Sequence, residues 1–128
     1  MLRVLSVAYP FAPVGPDAAG GAEQVLAAID AALVRAGHQS LVVAREDSRV
    51  AGTLLPIART EGPVDTAAHH FAHESVRRTI RDTLERRPVD LVHLHGVDFF
   101  RYLPPPGVPA LATLHLRNFH HDLASEYV

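Results

Sequence analysis

A chain of 128 residues is long enough for one domain with a real core and short for an enzyme that must hold two substrates. A formal net charge of −2 argues against a nucleic-acid surface. The absence of cysteine excludes disulfides, thiolate zinc sites and cysteine nucleophiles.

The amino terminus has one arginine and an apolar run that stops at Tyr9-Pro10, too short for a secretory signal. No stretch approaches the roughly 20 apolar residues of a membrane span, so the cytoplasm is the expected location. Leu2 to Ala8 is a continuous apolar run of strand length, as in a strand buried on both faces. A long loop rich in proline and glycine follows and ends in Gly20-Gly21; its stretch from Val14 to Ala19 is the expected mobile piece. Ala22, Val25, Leu26, Ile29 and Leu33 recur at helical spacing and predict a helix from about Gly21 to Arg35, with Gly37 at its C-terminal cap.

Leu41 to Ala44 is a second buried strand. Thr53 to Ile57 is a third, placed near a sheet edge by Pro56, which has no N–H to give. From Thr66 to Arg87 the apolar positions Ala68, Ala72, Val76, Ile80 and Leu84 step by four. Glu74–Arg78, Arg78–Asp82, Arg81–Glu85 and Asp82–Arg86 are set to pair on its outer surface, which makes the arginine cluster a solvated helix face. Pro88 ends that helix. Val89 to His95 is a fourth strand, Phe99 to Leu103 a short helical turn, and Pro109 to Leu114 a fifth strand.

Strands that alternate with helices in this way predict an α/β, Rossmann-like, doubly wound parallel sheet in the order 3-2-1-4-5. The crevice of such a sheet lies at the carboxyl ends of the first and fourth strands. Three polar constellations fall at carboxyl ends: Gly20-Gly21, His93-Leu-His95-Gly-Val-Asp98, and Thr113-Leu-His115. Paired glycines before a helix let backbone N–H groups approach an anion at the positive end of the helix dipole. A tight turn with close helix packing is the structural alternative. No Gly-Lys-Ser/Thr follows, and the loop is not Gly-x-Gly-x-x-Gly. Strand alternation puts His93 and His95 on one face; His95 and His115 sit at strand tips where an imidazole meets solvent and ligand, and His93 reads as a satisfied interior histidine.

The ordered set Gly20-Gly21, Asp90-Leu-Val-His-Leu-His95 and Thr113-Leu-His115 resembles the amino-terminal domain of the retaining GT-B glycosyltransferases, the family 4-like (group 1) enzymes, across essentially the whole chain. The resemblance implies a transferase that moves a hexose from a nucleotide-diphosphate sugar to a hydroxyl acceptor with retention, without metal or other cofactor. It implies that Gly20 and Gly21 face the donor diphosphate and that His115 is catalytic, beside the transferred sugar. It sets His95 and Asp98 on the acceptor side. Arg117 is the one basic residue near the presumed cleft. In such enzymes the donor nucleotide is held mainly by a second domain, so the chain is expected to be an incomplete amino-terminal part, inactive alone. Its expected partners are the sugar donor and a sugar, lipid or small-molecule acceptor, with peripheral membrane contact and self-association through a truncated face as further expectations.

Two other readings stay open on residues alone. His69 and His73 stand four apart on a predicted helix, a spacing that suits a metal; His93/His95, His120/His121, Asp98 and Asp122 add donors for a histidine-rich metal hydrolase. Glu46 or Asp47 after the second strand fits the ribose contact of a dinucleotide-binding Rossmann module, and a non-catalytic sugar- or nucleotide-binding role belongs to the same class.

Overall fold

A computed structural model of the chain describes residues 1–115. Five strands, β1 (Arg3–Val7), β2 (Gln39–Arg45), β3 (Thr53–Ile57), β4 (Leu91–Leu94) and β5 (Ala110–Ala112), form one parallel sheet in the order β3-β2-β1-β4-β5. This is the doubly wound arrangement that the alternation of elements predicts. In register, Leu5 of β1 lies between Leu41 of β2 and Val92 of β4.

Two helices cover the sheet: α1 (Gly21–Arg35) after β1 and α2 (Thr66–Arg86) after β3. The first crossover moves from β1 to β2 and the second returns past β1 to β4. Right-handed connections in opposite directions therefore place the helices on opposite faces. On the α2 face, Leu5, Val7, Leu41, Val43, Val92 and Leu94 pack against Val76 and Ile80. On the α1 face the residues are smaller: Ala8, Val42 and Ala44 meet Leu26 and Ala27. Each fully buried Leu, Ile or Val contributes about 1.5–3 kcal/mol, so the α2 side carries the larger share of the apolar stabilisation.

The helix ends follow their sequence signals. Asp65 caps α2, its Oδ1 accepting the Ala68 N–H at 2.9 Å. At the end of α1, Gly37 adopts φ 86°. The Gly37 N–H reaches the Val34 carbonyl and the His38 N–H the Leu33 carbonyl, which together make a Schellman cap.

Two expectations are corrected. The buried stripe of α1 comprises Glu23, Leu26, Ala27 and Asp30, whereas Val25 is 42% exposed. Polar anchoring rotates the helix: Asp30 accepts from Ser40 Oγ at 2.6 Å and from the Ala51 and Gly52 N–H groups at 2.6 and 3.1 Å. On α2 none of the four-residue ion pairs forms; the pair there is Glu74–Arg77, three residues apart at 2.7 Å. Long exposed side chains gain only ~0.3–0.5 kcal/mol from such pairs, and Arg77 is held in place by a second bond, to the Arg101 carbonyl. The loop before α1 is joined to the β2–β3 connection at Val14. The Val14 N–H donates to Ser48 Oγ at 2.9 Å and the Val14 carbonyl accepts from the Arg49 N–H at 2.8 Å.

The Asp30 cluster has a topological cause. Residues 46–52 must return from the end of β2 to the start of the parallel strand β3 with no helix. The connection turns at Glu46–Asp47, where the Ser48 N–H donates to the Arg45 carbonyl, and the rest of its backbone needs partners away from the sheet ladder. Asp30 supplies them. Gly52 lets the chain pass, since a Cβ there would collide with the Ser40 carbonyl. Among the described residues, no helix is long and apolar enough to cross a membrane.

Candidate functional site

β1 and β4 are neighbours, and the connections leaving their carboxyl ends go to opposite faces. That is the switch point where an open parallel sheet leaves a crevice. The loop to α1, the segment from His95 to Asp98 and the segment from Thr113 to His115 all start at this edge.

At the start of α1, Gly20 is the N-cap with φ −87° and ψ 141°, and no side chain caps the helix. Neither Gly20 nor Gly21 has positive φ, so the backbone conformation does not demand glycine at either position. They differ in surroundings. A Cβ on Gly20 would meet the Glu23 carboxylate, 2.5 Å from Oε2, because that buried side chain folds back over the helix start. A Cβ on Gly21 would have no described atom within 4 Å. Close helix packing therefore does not explain Gly21.

Three imidazoles line the α1 side of the β4–β5 edge. His93 is buried, and its Nε2 lies 2.6 Å from Thr113 Oγ1, the satisfied interior role expected of it. Burial, reinforced by His115, holds its pKa below the usual histidine range. His95 stacks at 3.9 Å between centroids on His93 and at 5.6 Å on His115. The expectation that His95 reaches solvent is corrected: it is 3% exposed, because the ring lies under its two neighbours. Burial first, then His93 and His115, depress its pKa to about 3.

His95 is therefore neutral at physiological pH. Its Nδ1 lies 3.4 Å from His115 Nε2, and its own Nε2 is buried without a partner among the described residues. An orphaned buried N–H is worse than an orphaned lone pair, so the favoured tautomer has His95 Nδ1–H donating to His115 Nε2. His115, half-buried, is then oriented by a neutral neighbour. Ser6 Oγ, on the β1 residue in register with His93, is the other buried side-chain polar atom without a partner among the described residues.

Asp98 sits across the sheet from this cluster. Its Oδ1 accepts from the Tyr102 hydroxyl at 2.7 Å, and its Oδ2 lies 2.7 Å from His73 Nε2. Each carboxylate oxygen holds one partner, which ties α2 to the segment after β4. Burial, then the Asp98 charge and hydrogen bond, push the Tyr102 phenol up. Burial, then Asp98 and Glu23, push the Tyr9 phenol up as well.

Tyr9, Glu23, His73 and Tyr102 are the parts of this edge that sequence reading does not assign to it. Gly96 was the available signal. A Cβ there would run into the Tyr102 hydroxyl and come within 3.2 Å of the Tyr9 Cα.

The other candidates divide as follows. The His69 and His73 rings stand 5.7 Å apart, with His73 committed to Asp98. Among the described residues no three His, Asp or Glu side chains converge as a metal shell would require. Asp47 is held by Arg45 through bonds of 2.7 and 2.8 Å, which occupy the carboxylate a ribose would need and hold its pKa low. Arg117, His120, His121 and Asp122 lie outside the described residues.

Residues 19–127 match the model of the family described as Glycosyltransferase Family 4, from just before Gly20 to beyond His115. The chain belongs to that family. No curated protein and no solved structure matches it. Membership makes the Rossmann-like sheet that of a glycosyltransferase domain, a transferase in kind. The two edges described above, at Gly20-Gly21 and at His95–His115, fall within the matched residues.

Proposed function

We propose that this family 4 glycosyltransferase domain works in a GT-B enzyme that transfers a hexose from a nucleotide-diphosphate sugar to a hydroxyl acceptor with retention. In this reading the backbone N–H groups of Gly21 and Ala22 face the donor diphosphate. His115 stands at the transferred sugar, and the loop from His95 to Asp98 bounds the acceptor side. Most of the donor nucleotide is held by a second domain, so these 128 residues alone do not turn over.

The observation that carries the reading is Gly21. Its φ is not positive, no described atom approaches its Cβ position, and yet the first turn of α1 keeps a glycine there. Glycine costs up to about 1 kcal/mol relative to alanine in a helix interior and less at a first helical residue such as Gly21, a penalty that close approach of a ligand to bare backbone offsets. The helix dipole at this end favours a phosphate, and the charge on a departing diphosphate grows as an oxocarbenium-like centre forms. His115 suits a position beside such a centre because His95 beneath it stays neutral and adds no competing positive charge.

Titration with UDP-glucose or GDP-mannose, followed by backbone amide NMR, tests the donor side. Shifts concentrated at Gly21 and Ala22, and lost in Gly21→Val, are expected. Saturating sugar nucleotide with no change at these amides would refute the assignment.

A further inference from the structure

A second concave surface lies on the α2 side of the same edge. A groove of ≈ 500 Å³ is lined by His69, His70 and His73 of α2, Arg77 one turn further on, and Asp98 and Arg101 from the segment after β4. That volume lies within the range of small-molecule sites, about 300–1,000 Å³. Two guanidiniums and three imidazoles thus face a single lining carboxylate. Each oxygen of that carboxylate already holds one partner, Tyr102 on Oδ1 and His73 on Oδ2, and neither bond involves a guanidinium.

The donors are held in position. The His69 ring lies against Phe11 of the first loop at 4.7 Å between centroids. Arg77 is fixed by Glu74 and by the Arg101 carbonyl. Arg101 makes no ion pair among the described residues, and its guanidinium rests 5.2 Å from the centre of the Phe100 ring. Stacking of that kind leaves the N–H edge of a guanidinium open to a ligand. Several donors around one volume suit the three oxygens of a phosphate better than a neutral hydroxyl.

We infer that this groove binds a phosphate group carried by the acceptor, so that the acceptor substrate is anionic. The inference rests on the acceptor-side reading above and names the class of molecule that side receives. Phe11 belongs to the loop that leads to Gly20, and Asp98 belongs to the loop that follows His95. A phosphate in the groove therefore anchors an acceptor at the same carboxyl edge as the proposed transfer site, on the α2 side of the sheet.

The test is a titration of the chain with glucose 6-phosphate and with glucose, read by imidazole NMR. A parallel arm measures co-sedimentation with vesicles of phosphatidylglycerol in phosphatidylcholine. The phosphate ester is expected to shift His69, His70 and His73 with millimolar affinity. Arg101→Gln and His70→Gln, both at exposed positions, are expected to weaken binding about tenfold and additively, as loss of a charge-assisted bond implies.

Response to the soluble ester alone assigns a soluble acceptor phosphate; vesicle binding lost in the same variants assigns a lipid headgroup. The inference is overturned if neither probe engages these histidines, if glucose shifts them equally, or if Arg101→Gln binds as the parent chain does. The Gly21 and Ala22 amides report separately in the same spectra, so failure of the donor assignment and failure of the groove are distinguishable.

Discussion

Tyr102 donates its hydroxyl to Asp98 Oδ1 at 2.7 Å from the end of a short 3-10 turn, Phe99–Arg101, that folds the chain back onto the sheet. Tyr102 is fully buried, and the backbone at Gly96 passes directly over its oxygen. Phenol, carboxylate and glycine therefore form one steric and electrostatic unit. Gly96→Ala is expected to cost about 3 kcal/mol by urea denaturation, and Tyr102→Phe about 1–2 kcal/mol through the lost bond to a charged group. In the Tyr102→Phe background Gly96→Ala should cost measurably less, since the nearest colliding atom is gone. Full additivity of the two would contradict the coupling.

His95 makes stability depend on pH. Its folded pKa, about 3, lies below the ordinary 6.5, so between those values the unfolded chain binds more protons. Stability is complete above pH 6.5 and falls as pH drops toward 3, by up to 1.36 kcal/mol per unit from this group. At pH 5 the loss is about 2 kcal/mol. His93 is shifted in the same direction and adds to it. Denaturation curves for His95→Asn should show a shallower acid dependence than the parent chain; an unchanged slope would remove His95 as the cause.

The two glycines at the start of α1 should separate folding from binding. Gly21→Ala enters open space at a helical position and is expected to stabilise the fold by about 0.5–1 kcal/mol. Sugar-nucleotide affinity should fall in the same variant. Gly20→Ala must displace only the flexible end of Glu23, and its effect on stability should be within about 1 kcal/mol. A Gly21→Ala protein that is destabilised, or that binds as before, would count against the role given to bare backbone there.

Asp30→Ala is expected to cost about 3 kcal/mol, because it orphans the Ala51 and Gly52 N–H groups and the Ser40 hydroxyl together. Hydrogen exchange should quicken at Ala51 and Gly52 before it does so in β1. Unchanged protection would mean that the β2–β3 crossover has another anchor.

By itself the sequence determined the elements and their order. Continuous apolar runs, one amphipathic helix stepping by four through Val76 and Ile80, and glycine or proline at each break specify a parallel doubly wound sheet. The order 3-2-1-4-5 is the doubly wound arrangement that the alternation predicts, and the hand of the crossovers sets which face each helix covers. It also brought Gly20-Gly21, His95 and His115 to one sheet edge, because residues after parallel strands share an end.

Only the tertiary structure decided how each side chain is used there. Val25 against Asp30 on α1 was settled by the β2–β3 connection, whose Ala51 and Gly52 N–H groups bond Asp30 and which periodicity does not encode. The burial of His95 was settled by the rings stacked on either side of it, and the use of both Asp98 oxygens by His73 and Tyr102 meeting from separate elements. Such pairings depend on contacts between positions distant in the chain, and local pattern carries information only about the face a residue shares with its own neighbours.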